Sequence, residues 1–144
     1  MQQSVEKIDR TRGLAGRLFC QLIHLEPRLP HIQHHDRLQE IFPADSKNVL
    51  WLFADHTFPL FCALLELPEY SKRILLGLSA SIGQLTESLI KYSSAAFFQF
   101  LRSHPSDVPR LCNEIVMNFE ENLLNERVTY PMLNFLDIII ASGI

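Results

Sequence analysis

The sequence predicts an all-α chain, arranged as an irregular HEAT- or armadillo-like segment of stacked helix pairs. Three observations carry this. Apolar residues recur at spacings of three and four, as in Leu89, Tyr92, Ala96 and Phe100, the period of a helix that buries one face. Only five glycines occur among 144 residues, with few β-branched runs, which argues against a β sandwich. Punctuation also repeats: Thr57-Phe58-Pro59-Leu60-Phe61 returns as Thr129-Tyr130-Pro131-Met132-Leu133, 72 positions on. In each copy Thr is expected to cap a helix, with Pro in its first turn, where a missing N–H costs nothing. One more inner helix, Thr86 to Ser103, lies between them and halves the spacing to 36 residues. Tetratricopeptide repeats are about 34 residues long and HEAT repeats about 40–47. The tetratricopeptide signature is absent, which leaves irregular HEAT-like pairs.

The first helix is expected from Ser4 to His24, with Ser4 as a partial cap because Lys7 stands where a capping box would have Glu. Its packed stripe reads Val5, Ile8, Ala15, Phe19 and Leu22, widened by Leu14 and Leu18. Charged residues fill its first turns, so its start should be exposed and its end packed. Gly13 and Gly16 each cost a helix about 1 kcal/mol against alanine and mark close packing. Pro27 and Pro30 then open a loop. Asp36 is placed to cap a short helix, Arg37 to Phe42, closed by Pro43. Asp45 or Ser46 begins a further short segment through Trp51. Trp51, Leu52 and Phe53 should plug the joint between this N-terminal part and the helical array.

From Thr57 the pattern is regular. One helix runs to Leu67, before Pro68. Tyr70 to Ile82 comes next, with Ile74, Leu78, Ile82 and Leu85 on one face. Thr86 caps the helix after it, and Glu87 lies in its first turn, where the helix dipole favours a carboxylate. Leu89, Tyr92, Ala96 and Phe100 form its face, with Ile90, Phe97 and Leu101 beside them. Pro105 breaks the chain, and Ser106 or Asp107 caps a helix holding Val108, Leu111, Ile115, Phe119 and Leu123. The last helix carries Met132, Phe135, Leu136 and Ile139, with Gly143 at its C-terminal cap. We read residues 1–144 as one helical-repeat segment: an N-terminal helix and irregular connector over 1–54, then helix pairs over 55–144.

Composition narrows function. The net charge of −3, with no basic cluster, argues against nucleic-acid binding. The first residues, MQQSVEKIDRTRG, are charged and lack the apolar segment of a signal peptide, and no apolar run approaches the roughly 18 residues of a membrane span. Cys20, Cys62 and Cys112 form no CxxC pair, so neither a zinc knuckle nor a disulfide framework is predicted. Three buried, reduced thiols of an intracellular protein are the expectation. His31, His34 and His35 could converge on a metal if their loop were helical, but Pro30 and the lack of a further ligand at suitable spacing favour a polar loop. No nucleophile elbow or phosphate-cradling glycine loop occurs. The reading is therefore no enzyme, no cofactor and no metal ligand, with no catalytic residue assigned.

A polar corner, Asn122, Asn125, Glu126 and Arg127, has two readings. The asparagines satisfy helix-end backbone groups while Arg127 pairs with Glu126 or a carbonyl, or the loops form a ridge that a partner grips. As candidate partner-binding residues we name Asn122, Asn125, Glu126, Arg127, Glu87, His31 and His34.

Four ordered blocks, EKIDRTRGLAGRLF, PHIQHHDRLQEIFP, YSKRILLGLSASIGQLTESLIKYSSAAFFQFL and ENLLNERVTYPMLNFLDIII, resemble the C-terminal region of the tubulin-folding cofactor D (tubulin-specific chaperone D) family. GLSASIGQLTES and NLLNERVTYPMLNFLD are the most specific. Gln33, where the family is expected to favour proline, and His35-Asp36 depart from the pattern. The resemblance implies a HEAT-like solenoid in a cytoplasmic, cytoskeleton-associated protein that assembles and disassembles the αβ-tubulin heterodimer. Implied partners are β-tubulin, tubulin cofactors C and E and an Arf-like small GTPase, with GTPase activation belonging to the joint complex. It implies no catalytic residue here. It also implies that these residues are part of a longer chain, whose cut repeat ends would expose apolar surface and favour self-association. The alternative to this role is a general protein-binding helical-repeat adaptor with no tubulin connection.

Overall fold

The computed structural model of the protein describes residues 9–45, 49–83 and 87–143. Among them are seven α-helices and no strand: α1 Asp9–Ile23, α2 His35–Ile41, α3 Ala54–Ala63, α4 Pro68–Ile82, α5 Glu87–Ser103, α6 Val108–Glu121 and α7 Glu126–Ala141. Single 3-10 turns, Leu64–Glu66 and Pro105–Asp107, join α3 to α4 and α5 to α6. The expectations at Ser4, Val5, Ile8, Ser46, Leu85 and Thr86 lie outside the described residues.

The helix α4 organises the packing. It touches α5, α6, α7 and the turn Leu64–Glu66. Ile74, Leu78 and Ile82 are fully buried, as their spacing predicts, and Gly77, Ser79 and Ser81 are buried too. A helix buried on more than one side needs small residues where neighbours come close. Pro68 begins α4 instead of merely ending α3, because the first helical position has no use for the N–H that proline lacks. At the far end, a Cβ on Gly83 would stand 2.0 Å from the carbonyl oxygen of Pro131 in α7. Only glycine fits that approach.

The helix α1 corrects its expectation. Its buried face is Arg12, Gly13, Gly16, Cys20 and Ile23. Phe19 is half-buried, whereas Leu14, Leu18 and Leu22 are 52%, 49% and 47% exposed. The two glycines explain the rotation. The ring of Trp51 presses on Gly16 so closely that a Cβ there would lie 2.2 Å from it, so the helix turns its least bulky side inward. The start of α1 is not simply exposed, since Arg12 is fully buried. Trp51 plugs the joint as predicted and joins the rings of Phe42 and Phe61, but Leu52 and Phe53 remain 55% and 57% exposed.

The repeated Thr-aromatic-Pro motif does occupy the same place in two helices, but Thr is not the cap. The helices α3 and α7 begin three residues earlier, after the extended backbone of Phe53 and Asn125. Thr57 and Thr129 are each the fourth helical residue, and each hydroxyl donates to a carbonyl four residues back, Phe53 O at 3.1 Å and Asn125 O at 2.8 Å. Pro59 and Pro131 lie inside their helices, where each removes one backbone bond. The helix α2 likewise begins one residue before Asp36 and comes directly after His34, whose φ of 53° is left-handed. Asp107 precedes α6 without a side-chain cap bond, its carboxylate being engaged by Arg110. Gly143 (φ 70°) closes α7 as expected.

Candidate functional site

The candidate residues fall into three patches. The first is the corner between α6 and α7. Asn122 donates its amide to Asn118 O at 2.8 Å, and its own carbonyl accepts from Thr129 Oγ1 at 3.0 Å. The backbone carbonyl of Asn125 accepts from both Val128 N and Thr129 N. The Asn122 side chain therefore holds the turn as the structural reading requires, whereas Asn125 contributes only its backbone carbonyl and makes no side-chain cap bond. Glu126 and Arg127 do not pair with each other or with a carbonyl among the described residues; both are exposed. Leu123 and Leu124 project beside them, 55% and 102% exposed, which removes Leu123 from the predicted core face of α6. A cleft of about 450 Å³ runs under the corner, lined by Glu120, Glu121, Asn122, Leu123, Leu124 and Asn125.

The second patch places Glu87, in the first turn of α5, beside Asn134 and Asp137 of α7 in a shallow cleft of about 400 Å³. Asn134 donates to Gly83 O at 3.1 Å, so one side chain both lines this cleft and ties α7 to the end of α4. The third patch is the start of α2. His34 Nε2 meets Glu69 Oε2 at 2.9 Å, His35 bonds Ile23 O, and His31 is exposed with a left-handed backbone (φ 66°). The three imidazoles thus diverge. Glu69 is held below the usual carboxylate range, first by its backbone N–H and then by His34. The corner, the Glu87 cleft and the histidine loop do not share a cleft.

Two polar centres escaped the sequence reading. Arg12 donates from Nε to Thr57 Oγ1 at 3.2 Å and from Nη2 to Leu52 O at 3.4 Å, and its guanidinium lies 5.3 Å from the centre of the Phe58 ring. A buried arginine needs such partners. Arg110 of α6 donates to Ser71 Oγ (3.0 Å), Glu114 Oε1 (2.9 Å), Leu65 O (2.6 Å) and Asp107 Oδ1 (2.9 Å). Burial pulls its pKa down, but the bonds to Asp107 and Glu114 outweigh this and raise it. With Asn118 donating to Lys72 O at 3.0 Å, this group fastens α6 to α4. The signal was Asp107, Arg110 and Glu114 at spacings of three and four, which places them on one helix face.

The thiols also differ from expectation. Cys20 and Cys62 are buried and their pKa values raised by that burial, but Cys112 is exposed on α6. Among the described residues no group of three or more His, Cys, Asp or Glu could hold a metal ion, and no helix is long and apolar enough to cross a membrane.

None of these patches points to one chemistry by itself, so identity rests on relatives. The family model described as "Tubulin folding cofactor D C terminal" matches residues 1–144, the whole chain. The chain belongs to this family. Tubulin-specific chaperone D of Dictyostelium discoideum is 27% identical over 118 residues, which is 80% of this chain and 8% of that protein. No solved structure matches the chain. The tubulin-folding cofactor D family assignment bears out the resemblance carried by the four sequence blocks, and the helical architecture agrees with the all-α class.

Proposed function

We propose that this chain is a partner-binding scaffold segment in tubulin folding, serving assembly and disassembly of the αβ-tubulin heterodimer. The observation that carries this is the family match over all 144 residues. On this reading the helices form an irregular HEAT-like stack that presents its corners to large folded partners: β-tubulin, cofactors C and E and an Arf-like GTPase, in the cytoplasm and at the cytoskeleton. GTPase activation belongs to the assembled complex, with no catalytic group from this chain. The contact residues are Asn122, Asn125, Glu126 and Arg127, with Leu123 and Leu124 alongside, and Glu87, His31 and His34 at secondary patches. Exposed charges next to exposed leucines, on a turn held rigid by Thr129, suit recognition of a folded surface.

The test is capture of purified β-tubulin, cofactors C and E and the GTPase by the immobilised chain. Binding to at least one is expected, and Leu124→Glu combined with Arg127→Glu should abolish it while the helical circular dichroism is unchanged. A folded chain that captures none of them would overturn the proposal. Capture of proteins outside the tubulin machinery in their place would favour the general binding module.

A further inference from the structure

One groove is built entirely from helices that have further helices before and after them in the chain. A cleft of about 230 Å³ lies between α3 and α5, with Arg37 of α2 on its rim. Its buried lining is apolar: Cys62, Ala96 and Phe100. That volume is below the roughly 300–1,000 Å³ of small-molecule sites and suits a single apolar side chain. Two polar groups beside it have unused hydrogen-bonding capacity. His104 stacks on the Phe100 ring, and its Nδ1 lies 3.2 Å from Phe100 O. A carbonyl only accepts, so Nδ1 carries the proton and Nε2 of the neutral ring is left as an acceptor. The side-chain amide of Gln99 is exposed and makes no hydrogen bond among the described residues. An acceptor and an amide lining one cleft match the main chain of an extended peptide.

The outward stripe of α5 adds charge. Ser88, Lys91, Ala95, Gln99 and Arg102 follow at spacings of three and four, and all are exposed. No acid lies among them, and neither Lys91 nor Arg102 has an ion pair among the described residues. Arg37 is engaged by Glu66 and Glu40. The three cations still outnumber these two carboxylates, on a chain whose net charge is −3. Lys91 and Arg102 stand about 16 Å apart along the helix, the span of about five residues of extended chain.

We propose that the α3–α5 groove receives an acidic, extended segment of a partner protein. Its carboxylates meet Lys91 and Arg102, one apolar side chain between them enters the cleft, and its main chain bonds Gln99 and His104. The groove shares no residue with the corner at residues 120–127, so it stands or falls separately from the function proposed above.

Fluorescence anisotropy of the labelled peptide EEELEEE, titrated with the whole chain, tests this. Saturable binding that weakens with added salt is expected. Lys91→Glu with Arg102→Glu should lower the affinity about tenfold and transfer it to the peptide KKKLKKK. Both positions are exposed, so the helical circular dichroism of this variant should match the wild type. The cleft is tested without altering the protein: EEEGEEE should bind more weakly than EEELEEE, because it has no apolar side chain to bury. Leu124→Glu at the corner should leave peptide binding unchanged. No saturable binding, equal affinity for EEELEEE and KKKLKKK, equal affinity for EEEGEEE, or binding indifferent to reversal of Lys91 and Arg102 would each overturn the proposal.

Discussion

The helices α3 and α7 carry the same short motif from their fourth residue and bury opposite faces. In α3 the inward residues are Thr57, Phe58, Phe61 and Cys62; in α7 they are Pro131, Met132 and Phe135. Aligned on the motif, the α7 residues correspond to positions 59, 60 and 63 of α3. At 100° per residue the two buried faces lie about half a turn apart. Phe58 is fully buried while its counterpart Tyr130 is 65% exposed. Pro59 faces outward, whereas Pro131 is buried against Gly83. What the two helices share is local: position in the helix, the hydroxyl bonding back to a carbonyl, the interior proline. What differs is set by neighbours. The helix α3 has α5 and the side chain of Arg12 around it; α7 has the end of α4 beneath it and solvent outside.

Truncating the two aromatics probes this contrast most strongly. Phe58→Ala should destabilise by about 3–5 kcal/mol, since it leaves a cavity beneath Arg12 and removes the ring it faces. Tyr130→Ala should stay within about 0.5 kcal/mol. Urea titration of both variants measures the difference, and equal losses would mean that Tyr130 packs as Phe58 does. Next in size is Gly83→Ala. The new methyl meets a backbone carbonyl that cannot swing aside, so a loss of about 1–3 kcal/mol is expected. It should fall on the α4–α7 contact, read as faster hydrogen exchange in α7 than in α3. The hydroxyl spans a comparable range at one site and the smallest at the other. Thr57→Val removes a buried acceptor of the Arg12 guanidinium and should cost about 1–3 kcal/mol. Thr129→Val loosens only a partly exposed corner and should cost about 0.5–1.5 kcal/mol. Thermal midpoints of the pair rank them.

The same contrast shows how much of the fold is legible in sequence. Helix positions come from periodicity and proline spacing, because both act within a few residues. The core faces of α4 and α5 are legible too, except that Tyr92 is 39% exposed. The inward face of α1 is not. Leu14, Leu18 and Leu22 line one side of the helix, and a stripe of leucines reads as a packed face wherever it points. Only the ring of Trp51, 35 positions beyond Gly16, decides that the glycines turn inward. The helix start at Ala54 escapes notice because Phe53 precedes it with extended backbone and no side-chain bond, which leaves no residue-type signal; at Glu126 the N-cap Asn125 is a favoured type, but the Thr-aromatic-Pro motif draws the start three residues too far on. Of the corner residues, Asn122 is legible as a turn-holding side chain. The exposure of Glu126 and Arg127 can be read only once α7 is known to begin at Glu126.

The uneven burial of the three cysteines provides a built-in reporter. Cys112 lies open on α6, while Cys20 and Cys62 are enclosed with suppressed thiolate formation, so a maleimide dye has one ready target in the folded chain. Fluorophore attached at Cys112 tags the α6 side without engineering. The slow modification of the other two sulfurs then times the opening of the α1–α3 region where they are enclosed.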